Sequence, residues 1–489
     1  MSRSLSRRAA LAGLVAGLST SAFANAPLTS LRPQPRPGSV GARSAKAIVA
    51  AAQLTGTTAF ICTRADGTVI EALGDTILLP PASVAKAVTA LYTIDALGRD
   101  YRFATVILAA GPIQNGVLEG DLILKGTGDP LLDTDALGGL AAQLRDSGIT
   151  RITGRFLVDA GDLPYVDQID PSQLPWVGYN PTISGLNLNF NRVHFEWTRS
   201  GSDYSLTMDA RARTYQPAVR SSVMRIAESG WPTYTHRMGE GREVWTVARP
   251  ALGSGGARWL PVRRPDAYAG DVFRTLAGSM GVSLPAPQME SGPIRGNVLA
   301  SHSSPSSRGL CGGMLKYSTN LTAEVLGLRA SQAMGHAPVS LRASAGAMNS
   351  WAKDRFGAEM ALVDHSGLGD ASRVSVADLS KMLTGTADLR GMLKDIPVKD
   401  RDGNLVERAD HAIRAKTGTL NFVNALAGYI TPVGGDVLSF AIISSDLPRR
   451  AALRDSDKER PAGARSYARR ARIMQQELIT RWAKLSMES

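Results

Sequence analysis

Ser83 and Lys86 stand three positions apart in Leu79-Pro80-Pro81-Ala82-Ser83-Val84-Ala85-Lys86-Ala87-Val88. On a helix they share a face one turn apart, so the lysine amine can reach the serine hydroxyl. A serine beside a neutral amine is an acyl-transfer nucleophile with its own base. Two more short patterns follow, Ser318-Thr319-Asn320 and Lys416-Thr417-Gly418-Thr419. Each is common alone, as a helix cap or a turn. In this order they supply the parts of an acyl transfer. Ser83 attacks a carbonyl, and Lys86 is the general base if burial and a second cation, Lys416, depress its pKa. Ser318 relays the proton to the leaving group, and Asn320 holds Lys86 and the substrate amide. Lys416 and Thr417 bind a carboxylate, Gly418 lets a strand approach closely, and the amides of Ser83 and Thr419 form an oxyanion hole.

These side chains need elements to hold them. Val84, Val88, Leu91, Ile94 and Leu97 form an apolar stripe that buries the helix beginning at Ser83. A hairpin is predicted just before it, residues 57–62 and 68–70 about the Asp66-Gly67 turn. Ser318 lies in a loop leading into a helix, with helical periodicity over residues 315–334, 340–356 and 376–383. Lys416 opens the run before strands at 426–430 and 437–443. Residues 466–485 place Tyr467, Ala471, Met474, Leu478, Trp482 and Leu485 on one helical face and arginines on the other. That face packs on the terminal sheet or, as the alternative, makes a peripheral contact with an anionic membrane. Between the motifs, residues 101–289 alternate short apolar runs (104–108, 121–124, 155–158, 193–197, 204–208) with turn clusters and read as a β-rich insertion.

The 489-residue chain is 44% hydrophobic, ordinary for a globular protein of two or three domains. Its formal charge of +12 is concentrated in residues 449–489 and in Arg3, Arg7 and Arg8. The near-neutral middle argues against nucleic acid as a partner. Those three arginines precede the apolar run 9–18 and Ala22-Phe23-Ala24, the layout of a signal peptide (residues 1–24) cut after Ala24 or, second choice, Ala26. Sec and twin-arginine export are both open, and a Pro-rich linker, residues 25–44, follows. The six histidines show no His-x-x-x-His spacing, and Gly126-x-Gly128 leads into Asp129-Pro130, so neither a metal nor any other cofactor is expected. Cys62 and Cys311 leave their pairing open.

Together the motifs resemble those of the low-molecular-mass class C penicillin-binding proteins, a D-Ala-D-Ala carboxypeptidase/endopeptidase family. The resemblance runs over residues 45–485. It includes Gly120 to Leu132, Tyr179 to Asn189, Asp364-His365-Ser366-Gly367-Leu368 with Arg373-Val374-Ser375, and Asn424 to Tyr429. The long interval from Ser83 to Ser318 separates this pattern from the β-lactamases of the same superfamily. The resemblance implies a multi-domain α+β fold. Residues 45–100 and 290–489 would form a serine DD-peptidase/β-lactamase-like catalytic domain, an antiparallel sheet flanked by helices, and residues 101–289 two accessory domains. It implies a periplasmic serine peptidase that cleaves D-Ala termini or cross-bridges of peptidoglycan stem peptides and is acylated by β-lactams. The alternatives are a β-lactamase and a penicillin-binding wall scaffold; the oligomeric state stays open. Three departures stand out. His365 replaces the family's usual glycine, Gly312-Gly313 loosens the approach to Ser318, and residues 174–178 lack an acidic residue for the amine of a diamino-acid stem.

Overall fold

The computed structural model describes residues 43–239, 241–290, 295–386 and 388–487; the expected signal peptide and nearly all of the expected linker lie outside the described residues. A six-stranded sheet forms the frame, in the order Lys394–Ile396, His411–Leu420, Val423–Pro432, Leu438–Ser445, Thr57–Thr63, Val69–Leu73. Every neighbouring pair is antiparallel. Thr57–Thr63 lies beside Leu438–Ser445, so the first hairpin completes a sheet otherwise built from the end of the chain. Both central strands are almost wholly buried, because helices cover both faces.

On one face lie Ala45–Ala51 and Ala464–Met487, whose Met474, Leu478, Ile479 and Trp482 pack on Phe60, Leu426 and Phe440. All of the apolar face foreseen for the last helix except Leu485 is buried, and Leu485 is partly buried against the same cluster. No apolar stripe of that helix is left for a bilayer. Among the described residues no helix is long and apolar enough to cross a membrane.

The other face carries Ala85–Leu97, Ser307–Tyr317, Asn320–Ala333, Leu341–Phe356 and Val376–Thr384. Ala85–Leu97 is at the centre, with every residue from Ala85 to Thr93 buried, Lys86 included. The sequence suggested one apolar stripe. Neighbours on all sides instead bury the whole first half of the helix, with small residues and hydroxyls filling the positions between the aliphatics. The helical stretch foreseen over 315–334 is two helices, broken at Ser318, which sits in the left-handed region (φ 61). Gly312 and Gly313 lie within the first of them, and a Cβ at either would meet open space. Cys62 and Cys311 are free and buried in separate core clusters, so they do not pair. Burial raises both thiols.

The strands expected between residues 101 and 289 are present. Ala104–Ala110, Asp121–Gly126 and Phe156–Asp159 form a five-stranded mixed sheet with Pro287–Met289 and Asn297–Ser303 on its edges. Arg192–Ser200 and Asp203–Asp209 join Gly255–Pro261 in one three-stranded sheet, and Ser222–Ala227, Tyr234–Gly239 and Arg242–Ala248 make another. Two helices, Thr134–Asp146 and Pro265–Ser279, pack in the same core and were not legible in sequence. The first contains Gly138-Gly139, which lowers helix propensity. Gly138 is needed by the packing, since a Cβ there would lie 2.4 Å from the Tyr215 ring.

Candidate active site

Ser83 lies in a single 3₁₀ turn, Ala82–Val84, that runs directly into Ala85–Leu97. It makes no capping bond, so the simple cap reading does not apply. The turn is held from two sides. Gly418 packs so that a Cβ would sit 2.8 Å from the Pro81 carbonyl and 3.1 Å from the Ser83 nitrogen, and a Cβ on Gly367 (φ +73) would lie 1.9 Å from the Ala82 carbonyl. Only glycine permits both approaches.

Lys86, fully buried one helical turn on, donates to Ser83 Oγ at 3.0 Å, to Asn320 Oδ1 at 2.7 Å and to the Ser366 carbonyl at 2.8 Å. Asn320 opens its helix, and its Nδ2 donates to the Tyr179 carbonyl at 2.8 Å. That bond settles the amide orientation, because the flipped form would set an N–H₂ against the Lys86 amine. Ser318 is reached by Lys416, whose Nζ donates to Ser318 Oγ at 2.9 Å and to the Thr417 carbonyl at 2.7 Å. Two lysine–serine pairs thus meet, from residues far apart in the chain.

Lys416, Thr417, Gly418 and Thr419 do not precede a strand; they lie inside His411–Leu420. Lys394–Ile396 pairs with this strand only from Ile413 to Ala415. Beyond Ala415 the described residues add no strand to that edge, which runs past the Ser83 turn. Thr417 is half-buried and Thr419 exposed.

Burial sets the electrostatics. It lowers the Lys86 amine to about 8, against the opposing pull of the Glu324 and Asp364 carboxylates. Lys416 is lowered further, to about 6, by burial first, then by the charges of Lys86 and Lys394. The expectation that Lys416 depresses Lys86 is therefore corrected. Repulsion between like charges is mutual, and it is the group with the lower pKa, Lys416, that gives up its proton to relieve it. Glu324 and Asp364, both fully buried, are raised chiefly by burial.

Glu324, Asp364, Ser366 and Tyr179 were missing from the residues predicted from sequence. Glu324 follows Asn320 by four positions on one helix, which puts both on the same face, and that was its signal. Asp364 and Ser366 lay in a recognised block without an assigned task. A backbone carbonyl such as that of Tyr179 leaves no trace in side-chain identity.

Residues 45–463 match the D-Ala-D-Ala carboxypeptidase 3 (S13) family. The chain belongs to this family. It is a serine-type D-Ala-D-Ala carboxypeptidase, with the mixed α+β fold of its relatives. It is 26% identical over 396 residues to the D-alanyl-D-alanine carboxypeptidase DacB of Haemophilus influenzae, covering 75% of this chain and 80% of the relative. It is 28% identical over 418 residues to the D-alanyl-D-alanine carboxypeptidase of an Actinomadura species, covering 75% and 73%. The crystal structure of penicillin binding protein 4 from Haemophilus influenzae superposes with a TM-score of 0.69 at 22% identity, over 89% of this chain and 99% of that one.

In this S13 carboxypeptidase His365 is wholly buried. Its Nε2 is 2.8 Å from Ser344 Oγ and its Nδ1 3.4 Å from Met348 Sδ. Burial holds its pKa down to about 3, so the imidazole is neutral. Gly327 makes the room, since a Cβ there would lie 2.1 Å from the ring.

Proposed function

We propose that this carboxypeptidase works through an acyl-enzyme on Ser83, with Lys86 as base and Ser318, Asn320 and the Lys416–Thr419 strand as the rest of the machinery. The single observation that carries the assignment is the set of partners on Lys86 Nζ. A neutral amine has two N–H donors and one lone pair. The Ser366 carbonyl can only accept, and Asn320 Oδ1 can only accept because its Nδ2 is engaged by Tyr179. Ser83 Oγ alone can donate, so the lone pair of a neutral Lys86 points at the nucleophile's proton.

That proton passes to Lys86 as Oγ bonds to the scissile carbonyl carbon. The amides of Ser83 and Thr419 stabilise the oxyanion, a reading supported by the tight approach of Gly418 to the Ser83 nitrogen. Ser318 gives its proton to the leaving amine and is reprotonated with the proton that Lys86 took from Ser83, so Lys86 returns to the neutral form as the C–N bond breaks and D-Ala departs. Water then attacks the ester, returning Ser83 and the shortened stem peptide. The open edge beyond Ala415 suits an extended peptide paired as an added strand, its carboxylate by Lys416 and Thr417. A cross-bridge that ends in the same bond fits the same edge, so we include endopeptidase activity. β-Lactams, as mimics of the terminal dipeptide, acylate Ser83. Residues 45–100 and 290–489 form the catalytic unit and residues 101–289 the accessory domains, except that Asn297–Ser303 completes a sheet of the insertion before the chain returns to the catalytic unit, and the protein works in the periplasm after export.

Labelling with a fluorescent β-lactam beside Ser83→Ala tests this. A stable label lost in the variant is expected. A label independent of Ser83 overturns the acyl-enzyme, and its rapid disappearance from the wild type assigns a β-lactamase instead. Digestion of purified muropeptides then reads out free D-Ala and uncrosslinked monomers.

A further inference from the structure

Behind Lys86 lies a loop whose successive amides are held by side chains. Glu324 Oε2 accepts from the His365 amide and Oε1 from the Ser366 amide, each at 2.9 Å. Asp364 accepts from the amides of Gly367 and Gly369, and Ser366 Oγ from that of Leu368. The carbonyl that emerges from the middle of this loop is that of Ser366, which receives the Lys86 amine. Gly367 at the same time packs on the Ala82 carbonyl next to the nucleophile.

Burial pushes the Glu324 carboxyl up and its bonds to the Ser366 and His365 amides pull it down; each oxygen accepts an N–H, which is the arrangement of an ionised carboxylate, and the geometry decides for that form. A buried carboxylate is costly unless compensated, and no Lys or Arg forms an ion pair with Glu324 among the described residues. Its compensation is the two amides, and the Lys86 amine lies on the other side of the Ser366 peptide that it holds. A carboxylate that served only to staple a loop would be replaceable by a neutral acceptor; one in the field of the base also sets the ease with which the base gives up its proton.

We propose that Glu324 is a positioning residue for the general base: it holds the His365 and Ser366 amides, so aiming the Ser366 carbonyl that orients the Lys86 lone pair at Ser83, and it places a carboxylate in the same buried chamber as the base. Asp364 holds the far half of the same loop and adds a second buried charge. The other charges facing this chamber are Lys416 from the strand and Asp170 from the insertion, the latter acting on Asp364. The inference rests on Lys86 being the base.

The test is the pH dependence of the β-lactam acylation rate for the wild type, Glu324→Gln and Glu324→Asp, with Ser83→Ala and Lys86→Ala as controls. Glu324→Gln keeps the size but faces an N–H₂ against one backbone N–H, and it removes the charge. Its plateau should fall at least about tenfold, and its acidic limb should move down by about one pH unit or more. Glu324→Asp keeps the charge but is one methylene short, so its limb should stay while its plateau falls. A lowered plateau with an unmoved limb in Glu324→Gln would reduce Glu324 to a structural prop and overturn the proposal. So would a Glu324→Gln variant that matches the wild type. If Glu324→Gln does not fold, a Glu324→Asp limb displaced as far as about one unit refutes the charge argument by itself. Labelling that survives in Ser83→Ala or Lys86→Ala strikes the acyl-enzyme reading instead, so the two failures are distinct.

Discussion

Lys86 and Lys416 share a buried site, and their different pKa values assign the protons. With Lys416 lowered to about 6 and Lys86 to about 8, Lys416 is the neutral member of the pair at pH 7 before substrate arrives. A substrate carboxylate placed by Lys416 stabilises its charged form, which raises its pKa and, through mutual repulsion, lowers that of Lys86. On the proposed mechanism a carboxylate substrate thus activates the base that deprotonates Ser83. Two outcomes follow. The acylation rate should rise about tenfold per pH unit on the acid side and level off near pH 8 or below it, since only neutral Lys86 is a base. Binding of a D-Ala-terminated peptide to Lys86→Ala, where Lys416 alone of the two lysines can titrate, should take up protons at pH 7, read by calorimetry in buffers of different ionisation enthalpy. Zero uptake contradicts the scheme. The serines and lysines of this site were legible because their spacing is local or their types are distinctive. Glu324 was not, because its role depends on a loop more than forty positions later that brings two amides to it.

The helix Asn320–Ala333 carries three tasks on successive turns: Asn320 for Lys86, Glu324 for the loop, Gly327 for His365. Gly327→Ala would drive a methyl into the imidazole at 2.1 Å, a contact that something must give way to. We expect a loss of stability of about 1–3 kcal/mol or more, as for other overpacked cores. His365→Gly should cost stability of its own, but in the double variant the methyl has room, so the two losses should sum to more than the loss of the pair. Denaturant titrations of the four proteins measure that coupling; strict additivity would refute the fit of ring to glycine. The same imidazole bears on pH. Its folded pKa of about 3 lies below the unfolded value of about 6.5, so the unfolded chain binds the proton more readily. Stability from this group is therefore complete above about pH 6.5 and is lost as pH falls towards 3.

At the scale of the molecule, the insertion packs into the core beneath the candidate site and reaches one of its side chains. Phe103, Leu163, Ile169 and Ile183 lie in the core cluster of the Ser83 helix, and the Tyr179 carbonyl fixes Asn320. Thr105 and His302 are paired neighbours across a sheet, so the chain between them can be replaced by a short Gly-Ser link without stretching the remainder. The shortened protein keeps all three motifs. It should nonetheless lose most of its Ser83-dependent β-lactam labelling, because Asn320 loses its anchor and the core its covering side chains. Labelling at the wild-type rate would refute this coupling.

The sequence by itself determined the class of the protein and named the candidate side chains. Ser83, Lys86, Ser318, Asn320 and Lys416 are named by type and order, and the strands by the period of their apolar residues, because both properties reside in the local chain. Only the tertiary structure decided which lysine yields its proton, why a histidine can stand where glycine is usual, and that the Lys416 motif lies within a strand. Those outcomes depend on burial and on contacts between residues hundreds of positions apart, and neither quantity exists until the chain has closed on itself.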